Sequence, residues 1–257
     1  MKILALDSSG LVAGAALIED DVLIAECSTN YKKTHSQTLL PMLDEIKKMV
    51  ELDLHTLDAI AVSAGPGSFT GLRIGAGTAK GLGLVLDIPL IAVPTVDALA
   101  MNLYGCERLV CPMMDARRSQ VYTGLYTFRR ENDSWGLHTL LAQCALPVAE
   151  LAAKINETDR EVVFLGDGVP VYKEELQRLL TVPYSFAPAS CNRQRAASVA
   201  VLGSIYKKEG RAVSADDFAP EYLRMSQAER TRMEADRAEQ ERMRAGIVPH
   251  GAGEVPT

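Results

Sequence analysis

The sequence predicts an α/β protein built twice over, with two lobes that are each a mixed sheet flanked by helices and that share a cleft. Three observations carry this expectation. Lys2 to Asp7 (KILALD) is an apolar run ending in an acid, followed by a turn and a second apolar run, and Leu109 to Asp115 (LVCPMMD) repeats the arrangement in the second half. Apolar runs of strand length alternate with segments of helical periodicity. The stretch from Ala64 to Val85, AGPGSFTGLRIGAGTAKGLGLV, places seven of the 19 glycines between two strand-like runs.

Taken in order, Lys2–Asp7, the turn Ser8-Ser9-Gly10, LVAGAALI and VLIAEC read as three strands joined by tight turns. A helix is expected from Thr34, because Leu39, Leu43, Ile46 and Val50 step by four, three and four and form one apolar stripe. Pro41 is then expected in its first turn, where a missing N–H costs nothing. The run LDAIAVSA is a strand, and Gly65-Pro66-Gly67 turns the chain into a helix from Leu72 to Leu86, capped by Ser68 or Thr70. IPLIAV is the next strand, and a helix from Thr95 to about Tyr104 completes the first half.

The glycine helix gives up about 4 kcal/mol of helix propensity, at roughly 1 kcal/mol for each of Gly75, Gly77, Gly81 and Gly83. Gly71, Gly75 and Ala79 lie at four-residue spacing, as do Gly77 and Gly81, so faces without side chains are available for another backbone. Packing on the helix's own sheet, a phosphate cradle and a partner-docking face are the three readings. The Lys-Ser/Thr ending of a P-loop is absent, and Leu72-Arg73 stands in its place, which counts against the cradle.

In the second half, the acid-ended run 109–115 is followed by the turn Ala116-Arg117-Arg118 and by QVYTGLYTF. A strand near Leu137 to Cys144, a helix from about Pro147, the strand EVVFLG ending at Gly166-Asp167-Gly168, and helices near Pro170–Leu180 and Arg195–Lys208 come next. The last helix carries Val199, Leu202 and Tyr206 on one face, with Gly210 just beyond it. The domains expected are 1–105, 106–225 (its last helix returning to the first lobe) and a charged tail, 226–257. In the tail, Glu229/Arg232, Glu234/Arg237, Glu239/Arg242 and Glu241/Arg244 are three apart, which suits a solvated helix without an apolar stripe.

The 257 residues, 47% hydrophobic and 23% charged, suffice for a sizeable core, and a net charge of -6 argues against this chain alone gripping a nucleic-acid backbone. With no signal peptide and no apolar run of bilayer length, a cytoplasmic protein without membrane contact is expected. The five cysteines have no CxxC spacing, and no two of the four histidines lie three or four apart, so reduced thiols and no zinc or iron site are expected.

Two halves opening with strand, acid, turn and strand describe the actin-like (ASKHA) architecture of sugar kinases and their relatives. In that superfamily the paired acids hold hydrated magnesium beside a nucleotide. Asp7 with Ser8 and Ser9 fits such a turn, and Asp115, Gly166 and Gly168 complete a vestigial nucleotide cleft. Arg117 and Arg118 lack the small size that phosphates need.

GPGSFTGLRIG, together with THSQTLLPML (34–43), MDARRSQVY (114–122) and PEYLR (220–224), is similar to the TsaB (YeaZ) family, from Met1 to about Arg224. The resemblance implies a non-catalytic subunit that pairs with TsaD, with TsaE joining, for threonylcarbamoyl transfer from its adenylate to the adenosine 3′ of the tRNA anticodon. It implies a partner interface of His35, Leu39, Leu43, Gly71, Leu72, Gly75 and Ala79, a homodimer when the chain is alone, and tRNA contact only through the complex. TsaD holds a metal with two histidines on the helix matching 34–50; this chain has His35 but Leu39 one turn later, so no metal is implied. No cofactor is required, and ATP or ADP at the cleft or complex interface is the one ligand the resemblance allows. The competing readings are an independent actin-like-fold ATPase or kinase, which Asp7 and Asp115 favour, and a metallopeptidase, which lacks its HExxH.

Overall fold

The first half opens as a three-strand meander, β1 (Lys2–Asp7), β2 (Ala13–Glu19) and β3 (Val22–Thr29), followed by α1 (His35–Met49), β4 (Ala59–Gly65), α2 (Phe69–Leu86), β5 (Leu90–Pro94) and α3 (Thr95–Ala100). The second half repeats this order with β6 (Leu109–Asp115), β7 (Gln120–Glu131), β8 (Ser134–Pro147), α4 (Val148–Asn156), β9 (Val162–Leu165), α5 (Gly168–Leu179), β10 (Tyr184–Phe186) and α6 (Ala196–Lys208). The computed structural model describes residues 1–31, 33–131 and 134–224. The expectation for the tail, 226–257, lies outside the described residues.

The two sheets have one topology. The first runs β3-β2-β1-β4-β5 and the second, read from its other edge, β8-β7-β6-β9-β10. In each, the first three strands are antiparallel and the last two join in parallel. This is the duplicated actin-like architecture that the paired acid-ended runs predict. The sequence reading missed β10, whose three residues are too few to show a period.

β1, β4 and β6 are buried almost throughout, because helices cover both faces of the parallel part of each sheet. The core has three layers. Leu39, Leu43 and Ile46 of α1 and Ala76 and Ala79 of α2 pack on Leu4, Leu6, Ile60 and Val62. Leu151 and Ile155 of α4 and Leu176 of α5 pack on Phe164 and Cys111. Between the sheets, Val96 and Leu99 of α3 and Val199 and Leu202 of α6 join Ile3, Ala61, Val110 and Tyr126 in one cluster.

The last helix of each half crosses over. α3 lies against β6 and β7, while α6 lies against β1, β2, β4 and β5. At the crossing, the Asp97 carboxylate of α3 accepts hydrogen bonds from the Tyr126 hydroxyl of β7 at 2.6 Å and the Tyr206 hydroxyl of α6 at 3.4 Å. Residues 1–223 form one compact unit.

Two local expectations need correction. Pro41 lies in the second turn of α1, since the helix begins at His35. Proline there removes one helical hydrogen bond, which the buried stripe of Leu39, Met42, Leu43 and Ile46 offsets. β8 begins before Leu137, making a long hairpin with β7 (Glu131↔Ser134 to Gln120↔Pro147).

Candidate docking helix and strand-end turns

α2 starts where β4 ends. Ser68 caps it, its hydroxyl accepting from the Gly71 N–H at 3.3 Å, while the Ser68 N–H reaches the Ser9 carbonyl at 2.7 Å. The first bare face of this helix is filled from within. A Cβ on Gly71 would fall inside 3.0 Å of the Ser8 carbonyl oxygen, and one on Gly75 would lie 2.6 Å from Ser8 Oγ. Ser8 Oγ in turn donates to the Gly71 carbonyl at 2.8 Å. The turn after β1 is therefore seated in the groove that these glycines leave.

That packing overturns the expectation that Gly71, Gly75 and Ala79 present a bare face to a partner. Leu72 and Ala79 are buried in the chain's own core with them, as are Leu39 and Leu43 of α1. His35 is half-buried, its Nε2 2.8 Å from the Gly10 carbonyl, and so ties α1 to the same turn. Helix geometry gives the reason: Gly71, Leu72, Gly75, Ala76 and Ala79 share one side, and the sheet claims it.

The second glycine pair faces outward. A Cβ on Gly77 or Gly81 would meet nothing within 4 Å. Around them stand Arg73, with Leu84 at 55% and Val85 at 81% exposure, and on α1, which packs beside α2, Leu40 is also exposed. The sequence carried a signal for this face that the reading did not use: Thr70, Arg73, Gly77, Lys80 and Gly81 fall on one side, and three of those residues are polar.

The PEYLR segment sits across the N-terminus of α2. The Glu221 N–H donates to the Ala64 carbonyl at 2.7 Å, Tyr222 stacks on Phe69 at 5.0 Å between ring centroids, and Arg73 Nε reaches the Tyr222 hydroxyl at 3.4 Å. Gly65, with φ of +126°, leaves room for the Glu221 carbonyl. Lys80 holds the approach by donating to the Asp216 and Phe218 carbonyls at 3.0 Å. The sequence reading gave this segment no structural place.

Asp7, at the end of β1, is buried and accepts from the Ser9 N–H at 2.9 Å and the Ser9 hydroxyl at 2.6 Å. Burial pushes its carboxyl above the usual range, and the Ser9 bonds work in the opposite direction. Asp115, at the end of β6, accepts from the Arg117 N–H at 2.8 Å and the Tyr172 hydroxyl at 3.0 Å, and pairs with the Arg117 guanidinium at 3.2 Å. Arg117, Arg118 and Ser119 all take left-handed backbone (φ 64°, 58° and 56°).

The small residues of these turns are occupied by the chain. Gly166 (φ +109°) and Gly168 pack on the Met113 carbonyl, and the Gly166 carbonyl accepts from Arg193 at 3.0 Å. Gly10 packs on the side-chain amide of Gln194, which is buried. Gln194 and Tyr172 were not legible, because each reaches its turn from a distant part of the chain. Among the described residues no three His, Cys, Asp or Glu side chains gather as a metal-binding group. Nor, among them, is any helix long and apolar enough to cross a membrane.

Comparison with known proteins agrees with this architecture. The family described as "TsaD: tRNA N6-adenosine threonylcarbamoyltransferase" matches residues 23–232. A Bacillus subtilis protein named tRNA threonylcarbamoyladenosine biosynthesis protein TsaB is 35% identical over 229 residues, covering 89% of this chain and 96% of its own. An Escherichia coli protein of the same name is 30% identical, covering 87% and 95%. The solved structure of YeaZ from Pseudomonas aeruginosa is 29% identical with a TM-score of 0.72, covering 86% of this chain and 99% of that one.

Proposed function

The chain belongs to the TsaB family, whose members are named for tRNA threonylcarbamoyladenosine biosynthesis, and from that premise we propose that it is the non-catalytic subunit of that modification. In this reading it pairs with TsaD, TsaE joins the complex, and TsaD carries the transfer to the adenosine 3′ of the anticodon. The observation that carries the pairing is the open Gly77/Gly81 face of α2, flanked by exposed Leu84 and Val85 and by Leu40 of α1. Two side-chain-free turns let a partner helix approach closely, and the flanking apolar groups supply area to bury.

The absence of a catalytic role in this chain is supported by how its acids are used. Asp7 is engaged by Ser9, and Asp115 by Tyr172 and Arg117. Gly10, Gly166 and Gly168, which would have to admit phosphates, pack on Gln194 and Met113 instead. A nucleotide, where one acts, belongs in this reading to the interface of the complex.

Reconstitution tests the reading. TsaD and TsaE should modify tRNA only when this chain is added, and Asp115→Asn should support the reaction as the natural chain does. The second reading, an independent ATPase, is favoured by the position of Asp7 and Asp115 at matching strand ends. Turnover by the isolated chain on the order of 1 per second, lost in Asp115→Asn, would establish it.

A further inference from the structure

Along the outer edge of the first sheet lies an apolar strip that the proposed pairing does not use. Among the described residues β3 pairs only with β2, so its outer row of N–H and C=O groups is unpaired. Its first three residues, Val22, Leu23 and Ile24, are between 40% and 59% exposed. α6 runs beside it. Glu26 of β3 is paired with Arg195 and accepts from the Ala197 N–H at 3.0 Å at one end of the helix, and Lys208 acts on the Asp20 carboxylate at the other. Val22, Ile24 and Glu26 share one face of the strand, which is the α6 face. On α6, Val201 and Ile205, one turn apart, are about equally exposed at 41% and 40%.

An edge like this is usually blunted by a lysine, a proline or a covering loop. β3 holds none of these, since its sequence is VLIAECST and its one charged side chain, Glu26, is turned inward to Arg195. We propose that this edge, with the flank of α6, is an interface between two copies of this chain, joined by antiparallel pairing of β3 with β3 across a two-fold axis.

Two features select a second copy over a foreign peptide. A lone strand would satisfy the β3 backbone, whereas a second copy also brings its own Val22 and Ile24 toward the exposed Val201 and Ile205. Charge also favours the antiparallel two-fold. The exposed acid Asp21 precedes the strand and the exposed Lys33 follows it, so antiparallel pairing brings the acidic start of each copy toward the basic end of the other. The interface lies on β3 and α6, leaving the outer face of α2 free, so one assembly can hold both contacts.

The test is sedimentation of the full chain from about 1 to 100 μM, for the natural sequence, Ile24→Lys, Val201→Lys and, as a control on the α2 face, Val85→Lys. All three positions are exposed, so the variants should melt with the natural chain. The expected result is a concentration-dependent dimer that weakens at least tenfold in Ile24→Lys and in Val201→Lys and is unchanged in Val85→Lys. A natural chain that stays monomeric throughout overturns the proposal, as does a dimer that only Val85→Lys disrupts. Slowed hydrogen exchange of the Val22–Ala25 amides on dimerisation separates strand pairing from contact through α6 alone, which would also overturn it.

Discussion

Substituting alanine for two glycines of the same helix should move stability in opposite directions. At Gly71 the new methyl group would fall inside 3.0 Å of the Ser8 carbonyl oxygen and 3.3 Å from His35 Cδ2, where ordinary contacts lie at 3.4 Å or more. The obstacle is backbone, held in place by the Ser8 Oγ bond to the Gly71 carbonyl at 2.8 Å, so the turn or the helix has to shift. Overpacking typically costs about 1 to 3 kcal/mol, and loss of the Ser8 bond adds about 1 kcal/mol. The gain in helix propensity offsets about 1 kcal/mol. The net loss is about 2 kcal/mol, and in a unit of this size that lowers Tm by about 4 to 8 °C. Gly81→Ala meets nothing within 4 Å and keeps only the propensity gain, about 1 kcal/mol, raising Tm by about 2 to 4 °C. Calorimetry on the two variants and the natural chain reads both signs. A Gly71→Ala protein as stable as the natural one, or a destabilised Gly81→Ala, would refute the assignment of the inward and outward faces.

Other outcomes follow from the same geometry. Burial raises the Asp97 carboxyl above its unfolded value of 3.8, so the folded state holds its proton more tightly and Asp97 costs stability as pH rises through that window. Asp97→Asn, which mimics the protonated form, should therefore gain on the natural chain between pH 4 and 7, and equal pH profiles in urea melts would contradict this. Tyr222→Ala loses the Phe69 stack and the Arg73 contact, so a loss of about 1 kcal/mol is expected, with faster proteolysis near Arg224. The isolated chain should turn over ATP far more slowly than about 1 per second, and a phosphate-release assay checks it.

The strands and their order were legible because each is a short apolar run bounded by turn residues, and because the acid at the end of 2–7 recurs at 115. The glycine helix was legible as a helix, but not the direction of its two bare faces. Gly71/Gly75/Ala79 and Gly77/Gly81 have the same spacing, and only the position of the Ser8-Ser9 turn distinguishes them in space. Arg73, Thr70 and Lys80 beside Gly77 were the local hint. Contacts joining distant segments, such as Gln194 on Gly10, Tyr172 on Asp115 and Tyr222 on Phe69, leave no periodic trace in a single sequence. Pro41 was misplaced because proline preference was given precedence over a buried stripe strong enough to carry it.

The most direct measurement for the central claim is the affinity of TsaD for this chain carrying Gly77→Leu, with melting temperature read on the same samples. A leucine at Gly77 enters open space, so the chain should melt at or above the natural temperature, while a partner seated on that face is displaced and affinity falls at least tenfold. Gly77→Leu that is fully folded and binds TsaD with unchanged affinity would contradict the account.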